Sequence, residues 1–525
     1  MNNYKNRSTL TFNLLLLLLL LLGALAGAYY ALRFGGYSME VDASRQALSA
    51  DAIIKTNRME NAYSYNNGLG YGTILAITSF VTGLAVQPVQ LSSGVLIFIL
   101  LMMAFISFRE LLGSAIAGTA AVFILLLQPD FLFYIVRGSH ERVTWMSALL
   151  MLFLLVRSQE KSFSLRQFFV YIALFYLSYW SMVMSNSYFA SAFLMAIALG
   201  LLIGWAIERL IFRRNNRDYM PDAWMRRLLL ITITCFILFY VFVSYTYKPA
   251  QAVFYYFDTL IDRISLLFFN VEPVKFPSTF EYFSTAWRSQ TVYLLVTAVQ
   301  WLISIGGFGT WLWSIFHINK LDQKQRLLWQ FYTSFGILLA LGLVADFAGW
   351  LNENLQMRMF TPFSLFSSAM IVQGLQMVWP RLHIGFKRFL VPLAGTLAAL
   401  AFLGAQFKIT NDPLIGNAWL FYTPSEIIAY EWTDAHMENQ AIWVDSVDHL
   451  QHVFYFHQGY TEDMTNYYSN YSRPLEFPVI LLSERVQLES ARKGLTVPST
   501  YSKLQVYDNG STKIYRTRPM TPYQR

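Results

Sequence analysis

The stretch STLTFNLLLLLLLLLGALAGAYYAL (8–32) carries no charge, follows Lys5 and Arg7, and gives way at once to the polar run RFGGYSMEVDASRQ (33–46). As a helix, 8–32 is about 37 Å long. That exceeds the roughly 30 Å hydrocarbon core of a bilayer. It reads as an uncleaved anchor rather than a cleaved signal peptide, although Ala24-Leu25-Ala26 has the small-residue look of a cleavage site. Basic residues ahead of the run hold the N-terminus in the cytoplasm and send residue 33 onward to the outside.

The rest of the chain repeats the pattern. Of 525 residues, 55% are hydrophobic and 13% charged, with a mean hydropathy of +0.40. Soluble domains carry about 25% charged residues, so most of this chain faces lipid. Further apolar segments run over 71–90, 92–108, 112–128, 142–156, 165–184, 187–211, 228–247, 290–316, 328–346, 360–379 and 389–407, twelve with the first. Basic clusters at Arg157/Lys161/Arg166, Arg209 to Arg227, Lys320/Lys324/Arg326 and Arg381/Lys387/Arg388 mark cytoplasmic ends. Loops 33–70, 129–141, 248–289 and 347–359 then lie outside, and 33–70 has the spacing of one or two short interfacial helices. A cytoplasmic start and an external end require an odd number of spans, and twelve is even. The conflict sits in 71–128, where Gly, Thr, Ser and Gln break three short runs.

The chain divides into a membrane domain, 1–410, and an external domain, 411–525. The first holds 30 basic and 18 acidic residues, the second 9 and 13. Interleaving of the cations with apolar spans argues against nucleic acid. In the tail, AIWVDS (441–446) and FPVILLSE (477–484) read as strands and RVQLESARKGL (485–495) as a helix. LQVYDNGSTKIYR (504–516) reads as a hairpin turning at Asp508-Asn509-Gly510. The fold class is mostly α: a polytopic helical bundle with a small extracytoplasmic α/β domain. One cysteine, Cys235, excludes a disulfide framework and a thiolate zinc cluster.

No phosphate-binding glycine loop, HExxH or GxSxG is present. Chemistry must rest on charges at the outer membrane face. Glu40 and Asp42, two apart in an extended segment, share a side. They suit a divalent cation such as Mg or Mn, or proton removal from a hydroxyl, unless they are ordinary loop acids. Arg137-Gly138-Ser139-His140-Glu141-Arg142 opens an apolar span; Arg137 suits a phosphate, and His140 and Glu141 suit a hydroxyl, against the alternative of a helix cap. Arg358, alone at the mouth of a span, needs an anionic partner, either Glu353 or a lipid phosphate. Lys248 opens the longest loop. Asp445, Asp448, His449, His452 and His457 have spacings that zinc tolerates, but read better as a solvated helix.

In this order the segments resemble the GT-C class of polytopic glycosyltransferases. The features are a first span followed by GGYSMEVDASRQ, Gly-punctuated spans with an internal Arg in FISFRELLGSAIAGTAAVFILLLQP (105–129), then PDFLFYIVRGSHERVTW (129–145), QMRMFTPFSLF (356–366) and a C-terminal α/β domain. The resemblance implies eleven to thirteen helices and an active site at the outer face of the plasma membrane. It implies a sugar donor carried on a polyprenyl phosphate or diphosphate, a glycan, lipid or protein acceptor, and transfer commonly with inversion. Family roles fall on Asp42 as the acceptor carboxylate, on Glu141 or His140 as its second-loop partner, and on Arg358 as the phosphate ligand. Neither loop carries DxD; the first has ExD and the second HER, which weakens a metal role. A glycan polymerase or ligase of another polytopic class, and a transporter or flippase of lipid-linked glycans, are the alternative readings.

Overall fold

The computed structural model describes residues 2–34, 41–58, 68–158, 164–207, 229–238, 290–318, 321–347, 355–410, 424–437, 442–445, 467–469, 477–484, 486–487 and 497–517. Helix α1 (Asn2–Arg33) contains the leucine run; Leu19, Ala26 and Tyr30 face the core, while Leu14, Leu17, Leu18 and Leu21 face outward. Then come α2 (Val41–Thr56), α3 (Gly70–Thr82), α4 (Val86–Ser92), α5 (Leu96–Leu112), α6 (Ala115–Leu126), α7 (Pro129–Val136) and α8 (Glu141–Arg157). The bundle continues with α9 (Leu165–Ser185), α10 (Ser187–Ile207), α11 (Leu229–Leu238), α12 (Gln290–Phe316), α13 (Gln323–Phe347), α14 (Leu355–Val378) and α15 (Ile384–Ile409). Among the described residues, seven helical stretches are long and apolar enough to cross a membrane, with α6 and α7 forming one further bent pair. The chain is a multi-pass membrane protein.

The structure departs from the expected spans in the region 71–128. The expected span 71–90 is instead α3, 13 residues closed by Gly83 at φ 71°, whose N–H donates to Ser79 O at 2.8 Å. Such a helix reaches about 20 Å, short of a bilayer. Its buried face packs on α2, with Gly72 against Ser49. The next crossing takes in both α4 and α5, Val86–Leu112. Of the segment 228–247, only 229–238 lies within the described residues.

Two backbone signals set the path of the chain through α6 and α7. Gly113, at φ 68°, ends α5 and returns the chain so tightly that a Cβ on Gly118 would sit 2.8 Å from Arg109 N. Gly118→Leu is therefore expected to destabilise the bundle by about 1–3 kcal/mol, read as a lower thermal midpoint in detergent. Farther on, Pro129 forces Gln128 into an extended conformation (φ −89°, ψ 114°). The axis turns by 87° there, so α7 lies across the end of α6. Gln128 secures the corner by donating to Ser364 O (3.0 Å) and Ser368 Oγ (2.7 Å) on α14.

One end of the bundle collects cations. Arg109, Arg157 and Lys324 all reach Glu110, at 3.1, 3.4 and 3.2 Å. Gln376 donates to Leu112 O nearby (3.2 Å). The basic clusters around Arg157 and Lys324 therefore share one face, as the charge pattern requires. At the opposite end, Tyr29 of α1 meets Phe407 of α15 with ring centres 6.2 Å apart.

The tail adds α16 (Pro424–His436) and five strands: β1 (Ile442–Asp445), β2 (Tyr467–Ser469), β3 (Val479–Ser483), β4 (Lys503–Asp508) and β5 (Thr512–Thr517), in the order β2-β1-β3-β5-β4. β1 pairs in parallel with β2 and β3, and β5 is antiparallel to β3 and β4. The expected hairpin is present: Gly510 takes φ 92°, and the Asp508 carboxylate accepts its N–H at 2.8 Å. Most of the expected helix 485–495 falls outside the described residues.

Candidate functional site

The sharp corner between α7 and α8 holds RGSHER in a short turn, and every residue of that turn with a side chain is buried. Arg142 closes α7 from behind, donating through Nε to Ile135 O (2.9 Å) and through Nη2 to Val136 O (2.5 Å). A cation suits those helix-terminal carbonyls. Arg137, 2% exposed, pairs with Glu141, and its guanidinium also lies 4.8 and 5.0 Å from the ring centres of Phe133 and Tyr134. The second oxygen, Glu141 Oε2, lies 3.5 Å from His140 Nδ1 but accepts no hydrogen bond, and the buried hydroxyl of Ser139 makes none. A buried polar atom without a partner calls for an explanation, such as a bound water, an ion or a catalytic role.

His140 is held from both sides. Phe189 N donates to Asn186 Oδ1 at 2.9 Å, which turns the Asn186 amide nitrogen toward His140 Nε2 at 3.0 Å. Asn186 Nδ2 can only donate, so Nε2 accepts from it. His140 Nδ1 lies 3.5 Å from both Glu141 Oε2 and the amide nitrogen of Gln46. Helix α2 is thereby fastened over the corner. Gln90 reinforces it, donating from Nε2 to Ala43 O (2.8 Å) and Gly138 O (2.6 Å).

The two sequence-derived loops meet at this point. Asp42 lies in the first turn of α2, next to Ala43 and one turn before Gln46. It is helical, where the sequence suggested an extended segment. Glu40 and Lys248 lie outside the described residues, as do Asp448, His449, His452 and His457. Arg358 sits in the first turns of α14. Among the described residues, no group of three His, Cys, Asp or Glu side chains is arranged to hold a metal ion. Glu141 faces an arginine, so the corner does not fit a divalent cation.

Sequence reading missed the supports Gln46, Gln90 and Asn186. Each is an amide inside a helix or at its start, a residue type whose partner only folding reveals. It also missed a second polar group at the other end of α7. There Asp130 Oδ2 accepts from Gln300 Nε2 at 2.6 Å, and the buried Lys408 donates to Thr297 Oγ1 at 3.2 Å.

No protein-family model matches this chain, and no curated protein matches it by sequence. Its structure is similar to that of ArnT from Cupriavidus metallidurans bound to undecaprenyl phosphate, at 13% identity and a TM-score of 0.51, over 95% of this chain and 99% of that one. It is also similar to the Archaeoglobus fulgidus oligosaccharyltransferase in the apo form, at 12% identity and a TM-score of 0.53. That match covers 87% of this chain and 62% of the other. These likenesses establish the fold, the GT-C architecture expected from the sequence.

Proposed function

We propose that this chain, with its GT-C fold, is a membrane glycosyltransferase that moves one sugar from a polyprenyl-phosphate donor to an acceptor at the extracytoplasmic face. The observation that carries the reading is the buried corner under α2, where Glu141 Oε2 and Ser139 Oγ lack partners beside an oriented imidazole. The undecaprenyl phosphate bound to ArnT supports the donor class.

In this reading Asp42 takes the proton from the acceptor hydroxyl. The acceptor oxygen attacks the anomeric carbon from the face opposite the phosphate. The bond from that carbon to the phosphate oxygen breaks, and polyprenyl phosphate leaves with the electron pair, so the configuration inverts. His140 and Glu141 hold sugar or acceptor hydroxyls, Glu141 through Oε2. Arg137 holds Glu141 in place, and Arg358 receives the leaving phosphate. A carboxylate base contributes about 10²–10⁴-fold, and preorganised charge in a dry site stabilises the departing phosphate.

The test uses purified protein in liposomes with polyprenyl-phosphate sugars. Release of polyprenyl phosphate, with an acceptor mass increase of one sugar, is expected. Transfer of whole oligosaccharides would favour a polymerase or ligase, and sugar-lipid movement with no covalent product a transporter. Sidedness has its own test. Tyr501 is fully exposed in the tail and the one native cysteine is buried. A Tyr501→Cys variant is therefore expected to react with a membrane-impermeant maleimide in intact cells, and labelling only after lysis would reverse the orientation.

A further inference from the structure

We infer that the acceptor is a lipid, one alkyl chain of which lies in the cavity between α1 and the α4–α5 crossing. This rests on the glycosyltransferase reading and names the acceptor class for it. The cavity encloses about 270 Å³, just under the roughly 300–1,000 Å³ of ordinary ligand pockets and so a fit for a single chain. One wall is the face of α1 that carries Gly23, Ala24, Gly27, Ala28 and Ala31. These positions recur at helical spacing, and the stripe runs about 12 Å along the helix. Elsewhere α1 turns leucines outward, as at Leu14, Leu17 and Leu21. Here its side chains are one carbon or none, and the surface is hollow. The facing wall is Leu91, Gly94 and Phe98.

The two ends of the cavity differ in polarity. At Gly23 the helices close on each other, since a Cβ there would lie 2.6 Å from Leu101 Cδ1. Gly23 stands about 15 Å from the end of α1, near mid-membrane, so this end is apolar. The other end holds Tyr30, Gln90 and Arg142, each at most 3% exposed. Tyr30 and Arg142 are near enough to interact electrostatically, and Gln90 bonds Ala43 O and Gly138 O. The polar end therefore abuts both the α7–α8 corner and the first turn of α2, where Asp42 stands. An apolar slot with hydroxyl, amide and guanidinium groups at its outer end matches a lipid of one leaflet, chain inward and head outward. The polyprenyl carrier is the poorer fit. Its phosphate belongs with Arg358 on α14, whereas these walls come from α1, α4, α5, α7 and α8.

The experiment uses the full chain in liposomes and a photoreactive dodecyl glucoside, one alkyl chain with a hydroxylated head and a diazirine at the chain end. Saturable labelling of peptides covering 23–31 and 91–98 is expected, displaced by unlabelled dodecyl glucoside and not by undecaprenyl phosphate. Gly94→Phe and Ala28→Phe narrow the slot from opposite walls. A Cβ on Gly94 meets nothing within 4 Å and Ala28 is exposed, so both proteins should keep the wild-type thermal midpoint. Each is expected to weaken probe binding by about tenfold for every two methylenes kept out, with undecaprenyl phosphate binding unchanged. Labelling that never saturates and spreads over the outward-facing leucines, or that neither variant weakens, would overturn the inference. Displacement by undecaprenyl phosphate would give the slot to the carrier, overturning the lipid acceptor and leaving the glycosyltransferase reading standing. In the transfer assay, polyprenyl phosphate release with water-soluble acceptors but not with membrane lipids would do the same. No release with either would overturn both.

Discussion

Asp42→Asn is expected to abolish sugar transfer, lowering the rate by about 10²–10⁴-fold, while the protein inserts, folds and still binds its donor lipid. The substitution keeps the shape and removes the proton acceptor. Position 42 adjoins Ala43, whose carbonyl takes the Gln90 bond that ties α2 to Gly138. The first loop is thus anchored by neighbours that the substitution leaves untouched. The measurement is polyprenyl phosphate release, with thermal midpoint and donor binding followed in parallel. Full activity in a folded Asp42→Asn protein would remove Asp42 from the mechanism and hand the base role to Glu141.

The second large effect concerns the pair at the corner. Arg137→Met leaves the Glu141 carboxylate buried without its cation, at a cost of about 3–5 kcal/mol. A steep fall in thermal midpoint is expected. The double change Arg137→Met/Glu141→Gln removes both charges together and should recover most of that stability. Activity should not return, because Glu141 Oε2 is then an amide atom and no longer a carboxylate for a sugar or acceptor hydroxyl. A double variant that is stable and active would reduce the pair to scaffolding. One that stays as unstable as Arg137→Met would mean that ring packing against Phe133 and Tyr134, rather than charge, holds the corner.

Much of the site could be read from local patterns. RGSHER stands out because five polar residues before an apolar helix must be satisfied somewhere, and the structure buries them at one turn. The position of Asp42 just beyond the first span is likewise a matter of chain order. Its helical conformation was not legible, because Gly35 and Gly36 ahead of it suggest an irregular stretch and the helix comes from packing Ala43, Ala47 and Ala50 into the core. Asp130 and Lys408 are 278 positions apart, and nothing in either neighbourhood announces the other. Strand β2 is three residues in an aromatic run, too short for periodicity to reveal.

The amino-acid sequence alone determined the membrane location, the order of spans and tail, and the shared face of the Arg157 and Lys324 clusters, because hydropathy and charge act locally along the chain. It also carried the turn residues that act on their own backbone: Gly83 stopping α3, Pro129 bending the chain, and Asp508-Asn509-Gly510 closing the hairpin. Tertiary structure decided which polar groups meet. The hold on His140 depends on Asn186, the hold on α2 depends on Gln90, and the contact of Lys408 with Thr297 depends on α15 packing against α12. In a bundle the partner of a buried donor is chosen by helix packing across the whole chain, which no local stretch encodes.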